Sequence, residues 1–461
     1  MREKLVLIGA GSAMFTRGLV ADVLRRGWEC ELGLVDTDAD ALGVAEGLCK
    51  KMIESRKAPV RLLASTDRRQ VLRDATVVIT TIGVGGRRAW EKDVSIPRKY
   101  GIFQPVGDSV MPGGTSRALR MIPPMVAVAQ DVLDLAPGAL FFNYGNPMTA
   151  VCRAIRKETG AGVIGLCHGV FHVGKQIADW LGVAPAAFRY TAVGLNHLTW
   201  FVEMRADGED LMPRMQARAV QVLGEGFSAD RLATGSAEAG TAAPEDSVLD
   251  RTQPFCLHLL RVFGAYPAVG DRHVSEFFPQ LFPRGKHFGK TLGVDRFSLE
   301  QVIANGDRIY ADMKEKAFSK EPLGERFFEQ MSGEHEQVIE IVESIRRDLG
   351  RVYSANLPNQ GQVPNLPPEA VLESPAVATG SGMRAIAQPP LASGIAGTLA
   401  TRLAWVETVV EAALEGSRQK FIQALILDGA VTSIDTAEEL ADDLLAAHAE
   451  YLPLFKQDSN R

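Results

Sequence analysis

The stretch KLVLIGAGSAMF, residues 4–15, limits what this chain can fold into more than any other. Residues 5–8 form an apolar run that breaks at Gly9 and again at Gly11, after which a helical pattern sets in over 14–25. A buried parallel strand running through a glycine turn into a helix N-terminus makes an anion site. The glycines let backbone N–H groups approach a pyrophosphate, and the helix dipole favours its charge. Ser12, Met14 and Phe15 lie in the same turn and join Gly9 and Gly11 as candidate cofactor contacts. A glycine fingerprint alone is a weak signal, and Met14 stands where a third glycine is usual. Support comes from Asp36, 25 positions after Gly11 at the end of a second strand over 31–35. An acid there reaches the adenosine ribose hydroxyls and repels a 2′-phosphate, which favours NAD over NADP.

The strand–helix alternation continues with a helix over 39–57 and a short strand over 61–64. TVVITT, residues 76–81, is an uncharged β-branched strand of the buried parallel type, and IGVGG after it turns Thr81 and Gly83 toward the cofactor. A long helix over 116–135, a strand over 139–143 ending at Asn143, and a strand over 163–166 follow. Repeated βα units with glycine at strand ends predict a Rossmann-like doubly wound parallel sheet over 1–191, with the site at its carboxyl edge. From residue 192 the character changes. Residues 192–203 read as one strand, 224–248 as a surface loop that orders on binding, and 356–368 as an irregular loop between helices at 301–316, 333–348, 395–416 and 436–451. This second part, 192–461, is read as a mixed, largely helical domain for substrate, metal and subunit contacts, giving an overall plan like that of lactate and malate dehydrogenases.

Bulk properties exclude several classes. With 461 residues, 46% hydrophobic and 23% charged, the chain has the profile of a soluble enzyme of two lobes. A net charge of -6 gives no reason to expect nucleic acid or an anionic membrane as partner. Five scattered cysteines without CxxC spacing argue for reduced thiols in a cytoplasm. The first apolar run is too short for a signal peptide, and no run reaches membrane-spanning length.

Five clusters carry polar chemistry. QPVGDSVMPGG, residues 104–114, reads either as a helix-entry turn or as a site loop presenting Asp108. NYGNPMT, residues 143–149, ends a strand with Asn146, suited to a ribose, a substrate hydroxyl or a helix cap. GLCHGV, residues 165–170, brings Cys167 and His168 off an apolar strand, and GLNHLTW, residues 194–200, places His197 inside another. A lone cysteine or histidine in such a run is ordinarily core, but a thiolate and an imidazole together at a cofactor mouth make an open, soft metal site. Finally, YPAVGDRHVSEFFP, residues 266–279, packs Tyr266, Asp271, Arg272, His273 and Glu276 into one short polar stretch, either a salt-bridged turn or a site loop.

In this order the clusters resemble family 4 of the glycoside hydrolases, the NAD- and metal-dependent glycosidases. The matching pieces are GAGS, VGG followed by PRKYGI, the PGG turn, GNPM, CHG, GLNH, GDRHVSEFFP and NQGQVPNLP, spread over nearly the whole chain. The form QPVGDSVMPGG is closer to the branch acting on uronic acids than to the phosphosugar branch. The resemblance implies an exception to two-carboxylate hydrolysis. NAD⁺ takes a hydride from C3 of the sugar, the ketone acidifies the C2 proton, and a base removes it as the aglycone leaves. Water then adds to the enone and the retained NADH returns the hydride. A divalent metal, typically Mn²⁺, polarises the C2 and C3 oxygens. Residue by residue, the resemblance implies Cys167 and His197 as metal ligands and Asn146 as a substrate contact. His168 stands where some members carry an aspartic acid for the leaving group, and an imidazole can protonate an alkoxide near neutral pH. Tyr266, then Asp271, are the candidate C2 bases. Arg87, Arg88 and Arg272 are candidate clamps for an anionic substituent, since guanidinium pairs bidentately with carboxylate or sulfonate.

The expected substrate is a small glycoside of a uronic acid, with a sulfonated sugar or a neutral α-galactoside or α-glucoside as alternatives. A homodimer or homotetramer is implied. The rival readings are a 2-hydroxyacid dehydrogenase, which needs an aspartate–arginine segment where this chain has CHGV, and a non-catalytic NAD-sensing protein, which needs no metal pair.

Overall fold

The computed structural model describes residues 2–224, 227, 245–329 and 336–456. The apolar runs at the start of the chain become β1 (Arg2–Ile8), β2 (Glu29–Val35), β3 (Val60–Ser65), β4 (Val77–Thr80), β5 (Leu140–Asn143) and β6 (Val163–Gly165). They pair in parallel in the order β3-β2-β1-β4-β5-β6, the doubly wound arrangement, with the order reversing between β1 and β4. Ligand sites in such sheets lie at the carboxyl ends beside that reversal, which is where Gly9 and residues 81–83 come to lie. β1 and β4 are almost wholly buried because helices cover both faces, which explains why they read as continuous apolar runs rather than alternating ones.

Within the described residues the sheet has thirteen strands and does not stop at β6. The later strands are β7 (Arg189–Leu195), β8 (Leu198–Ala206), β9 (Glu209–Asp210), β10 (Tyr266–Ala268), β13 (Arg351–Pro358), β14 (Val371–Thr379) and β15 (Gly382–Ala385), while β11 (Lys286–His287) and β12 (Lys290–Thr291) form a separate ribbon. The hairpin of β13 and β14 is seated between β6 and β7, so one antiparallel extension, β6-β13-β14-β7-β8-β10, runs across residue 191 without a break. Asn356 pairs with Gly165 and its side chain also donates to the Gly165 carbonyl at 3.3 Å.

Several elements differ from the sequence expectations. The first helix starts at Thr16, so Met14 lies in the turn before it, half exposed, and does not wedge between helix and strand. The long helix is Met111–Leu135, beginning five residues early with Pro112 in its first turn, where a missing N–H costs nothing. Residues 351–358 are a strand, and the irregular loop begins only at Asn359. Most of the expected loop over 224–248 lies outside the described residues; its last three residues are helical, in helix Asp246–Thr252.

The largest difference is at residues 192–203, which form a hairpin rather than one strand. β7 and β8 pair antiparallel from Leu195–Leu198 outward, and Asn196 and His197 are the turn. His197 takes a positive φ of 68° there. Gly194 makes the hairpin possible, since a Cβ on it would come within 2.2 Å of the Leu198 carbonyl oxygen.

Candidate active site

At the glycine turn the backbone is folded back on the sheet edge. Gly9 and Ala10 N–H groups donate to the Val35 carbonyl at 2.8 and 3.0 Å, and the Thr81 hydroxyl donates to the Gly9 carbonyl at 2.9 Å. Gly9 has φ 94°, and a Cβ there would stand 2.8 Å from the backbone of Thr81 and Ile82, so only glycine lets the β1 and β4 ends meet. The Gly11 N–H donates to Asp36 Oδ2 at 2.8 Å, and Asp38 N–H donates to Oδ1 at 3.0 Å. Asp36 therefore fastens the turn while each of its oxygens retains a further lone-pair direction. Ser12 closes the turn through its N–H to the Gly9 carbonyl at 3.1 Å, and Phe15 packs on Tyr144 with ring centroids 5.3 Å apart. Gly83 faces the guanidinium of Arg117. Asn143 is spent internally: Oδ1 accepts from Gly145 N–H and from the Thr80 hydroxyl, and Nδ2 donates to the Gly145 carbonyl. Its side chain shapes the β5 end rather than facing a ligand.

Three loops meet beyond this edge. Asp108 comes from the segment before helix Met111–Leu135, His197 from the β7–β8 turn, and His273 from the short helix Asp271–Val274. One ligand atom from each lies within 4.8 Å of the others, and among the described residues they are the one such group of three. The His197 and His273 rings are 4.1 Å apart at their centroids. The Ser109 hydroxyl donates to Asp108 Oδ1 at 2.7 Å and also sits 2.7 Å from His197 Nδ1. With its single proton given to the carboxylate, the hydroxyl accepts from Nδ1–H, and the Nε2 lone pair of His197 is left free. Asn146 Nδ2 donates to Asp108 Oδ2 at 2.9 Å, and Arg117 Nε donates to the Asn146 carbonyl at 3.0 Å.

The electrostatics suit a cation. Burial would raise the Asp108 carboxyl, but the surrounding His197 and His273 imidazoles, the Arg117 charge and the Ser109 hydroxyl bring it down to about 2. Burial lowers His197 and takes His273 well below the ordinary imidazole value, which keeps both rings neutral. A metal needs its ligands deprotonated, and one carboxylate with two neutral imidazoles is a donor set for a divalent first-row ion. His273 Nδ1, Asn146 Oδ1 and Arg272 Nε are all buried with no hydrogen-bond partner among the described residues. Such orphaned groups cost free energy unless a ligand meets them.

The sequence-derived residues divide sharply on this geometry. Asp108, Asn146, His197 and Arg272 are brought together; burial lowers Arg272, while the Asp108 carboxylate stabilises its charge. His197 sits at a turn rather than inside a strand. Cys167 is not in the three-donor group; its sulfur accepts from Gly169 N–H at 3.4 Å at the start of helix Gly169–Leu181. His168 beside it lies flat on Tyr144, ring centroids 5.5 Å apart and planes within 7°.

Tyr266 and Asp271 both lie in the interior. The Tyr266 ring is wholly buried against Trp180 and Phe201, and burial together with the neighbouring Cys256 and Asp271 pushes its phenol well above the ordinary value. Asp271 is also wholly buried and accepts from the Phe255 and Cys256 N–H groups at 3.1 and 2.9 Å, capping helix Pro254–Phe263, with His287 Nε2 3.3 Å away. Arg87 and Arg88 both pair with Asp307, at 2.7 Å for Arg87, which also lies over the Tyr310 ring.

The sequence singles out His273 and Glu276 only among the residues of the polar stretch 266–279, and Glu373 not at all. The spacing of His273 from His197 carries no motif. Glu276 turns its Oε1 to the N–H groups of Val106 and Gly107, at 2.9 and 2.7 Å. Glu373 of β14 is wholly buried behind the His197 turn, where it accepts from the Thr199 hydroxyl at 2.7 Å; burial pushes it up to about 7.

Comparison with known proteins covers nearly the whole chain. The model of the family 4 glycosyl hydrolases matches residues 4–183, and that of the family 4 glycosyl hydrolase C-terminal domain matches residues 192–431. An alpha-galactosidase of Rhizobium meliloti is 30% identical, covering 98% of this chain and 89% of that protein. An alpha-galacturonidase of Bacillus subtilis is 31% identical, covering 96% of each. Among solved structures, a 6-phospho-alpha-glucosidase from gut microorganisms, in complex with NAD and Mn²⁺, superposes with a TM-score of 0.81 at 21% identity, covering 98% of this chain and 99% of that one. This chain belongs to family 4 of the glycosyl hydrolases.

Proposed function

We propose that this protein is a glycosidase dependent on NAD and a divalent cation such as Mn²⁺, and that it cleaves glycosides of a uronic acid. The carrying observation is the buried Asp108–His197–His273 group with Arg272 beside it, its Nε lacking a partner among the described residues. When bound, NAD supplies a reversible hydride acceptor for the sugar and the cation a Lewis acid for its hydroxyl oxygens. The glycine turn with Asp36 holds the dinucleotide: Gly9 and Gly11 give close backbone approach, and the acid favours an unphosphorylated ribose. Asp108 and the neutral imidazoles of His197 and His273 hold the cation, with Cys167 the further thiol that the family resemblance adds.

Asn146 is fixed through Nδ2 on Asp108 and directs its unpartnered Oδ1 to a sugar hydroxyl. Arg272, buried beside a cation site and with Arg117 close by, makes the pocket electropositive, which matches an anion on the sugar. His168, held by its stack on Tyr144, gives the leaving oxygen its proton. The alpha-galacturonidase relative supports the uronate reading, and an anionic group on the sugar is what the arginines select over a neutral hexose.

The test is a panel of aryl glycosides, comprising uronide, sulfoquinovoside, 6-phosphate and neutral α-galactoside, assayed with NAD⁺ and Mn²⁺ in D₂O. The uronide is expected to turn over fastest, with deuterium at C2 of the product and no net NADH. A tenfold preference for the neutral galactoside, or product without C2 deuterium, overturns the reading.

A further inference from the structure

Glu276 joins the two segments that carry two of the three donor groups. It follows helix Asp271–Val274, the element that supplies Arg272 and His273, and its Oε1 accepts the N–H groups of Val106 at 2.9 Å and Gly107 at 2.7 Å. Gly107 immediately precedes Asp108. The same loop is held at other points too: Gln104 Oε1 accepts from Gly113 N–H at 2.8 Å within it, and Asp428 accepts from Met111 N–H. Neither of those contacts involves the His273 segment. Glu276 does, so its single carboxyl oxygen fixes the distance between the Asp108 loop and the His273 helix.

The carboxyl is an unusual choice for that work. Glu276 is wholly buried, and Oε2 has no hydrogen-bond partner among the described residues. Burial and the Asp108 charge push its pKa well above the ordinary range, outweighing the two amide hydrogen bonds and the Arg272 charge, which favours a neutral acid. A neutral carboxyl keeps its carbonyl oxygen as acceptor for the two amides and adds no repulsion toward Asp108.

We infer that Glu276 is a positioning residue of the cation site: by accepting the Val106 and Gly107 amides it sets the separation of Asp108 from His273, and with it the affinity for the divalent ion. The inference rests on the proposal above that Asp108, His197 and His273 hold that ion.

The experiment compares Glu276→Gln, Glu276→Ala and Glu276→Asp in the full-length protein by Mn²⁺ titration with electron paramagnetic resonance, beside NAD⁺ titration as a measure of the intact glycine turn. Glutamine keeps an acceptor oxygen in place and is expected to bind Mn²⁺ within about threefold of wild type. Alanine removes the acceptor and aspartate withdraws it by one methylene; both are expected to lose about tenfold or more in Mn²⁺ affinity, the size usual when an outer-shell partner is removed, with NAD⁺ affinity unchanged. If alanine does not fold, aspartate carries the test. Wild-type affinity in the alanine or aspartate variant overturns the inference, and so does a glutamine variant as weak as alanine. A wild-type protein that binds no Mn²⁺ overturns the proposed function instead, so the two failures are distinguishable.

Discussion

Gly11 and Asp36 are joined across two neighbouring parallel strands, whereas His197 meets Ser109, beside Asp108, from 88 positions away and His273 joins them from a third segment. The glycine turn is fastened by backbone geometry: short turns, a positive φ at Gly9 and N–H groups pointing at fixed acceptors. The donor cluster is fastened by side chains, with Ser109, Asn146 and Glu276 each holding one limb. A site made of backbone tolerates most side-chain changes and fails when a Cβ intrudes. A site made of side chains from distant loops fails one residue at a time. The two halves should therefore be separable by mutation.

The sharpest separation is expected from His273→Ala. Losing a neutral donor from the cation group should cut kcat/KM by about 10³-fold, several kcal/mol of lost charge stabilisation, while NAD⁺ affinity measured by fluorescence titration stays at the wild-type value. A comparable loss of NAD⁺ binding would join the two halves into one cooperative unit. Glu373→Gln probes the support behind the His197 turn. The folded carboxyl is raised from 4.5 to about 7 by burial, so its protonated form is favoured in the native state. Below the unfolded value the stabilising proton is present in both states and nothing is lost; as pH rises toward 7 the unfolded chain releases its proton first, and wild-type stability falls. Glutamine has no proton to lose, so the variant should gain up to roughly 3 kcal/mol over wild type at pH 8 and nothing at pH 4, read from denaturant melts.

Smaller effects are expected on the other side. Asp36→Ala removes the acceptor of the Gly11 amide and should weaken NAD⁺ by about tenfold and narrow its advantage over NADP⁺, with Mn²⁺ binding untouched. Arg88→Ala should be nearly silent, since this exposed guanidinium is engaged with Glu91 and Asp307. An unchanged KM for the uronide checks that; a large rise in KM would restore Arg88 as a substrate clamp.

The same contrast governs what could be read from the chain. β1, β2, β4 and the glycine turn were legible because their signals are local: apolar runs, glycine at the break, an acid at a fixed distance. The β7–β8 hairpin was not, because its turn is made by Asn196 and His197 between two apolar runs, with Gly194 two residues before the turn. Asp108, Asn146, His197 and Arg272 were singled out by residue type, yet their meeting is a property of four separate segments that no periodicity encodes. Tyr266 and Asp271 were picked out for residue type, a phenol and a carboxyl in one polar stretch; their burial against Trp180, Phe201 and the start of helix Pro254–Phe263 is set by distant segments and is not legible there. β13 and β14 stayed hidden because Asn356 and Glu373 are polar residues buried inside a sheet, where pattern reasoning expects none.

The seating of β13 and β14 between β6 and β7 also dictates an order of events during synthesis. β6 and β7 are separated along the chain by little more than one helix, yet the strands that fill the space between them emerge almost two hundred residues later. Until they arrive, β6 presents a bare row of amides and carbonyls at the growing sheet's rim, a template for pairing with another nascent chain. Long-range closure of this kind is slow and leaves intermediates open to aggregation. An amino-terminal fragment cut at residue 191 should therefore be sticky rather than self-sufficient, however complete its nucleotide-binding strands.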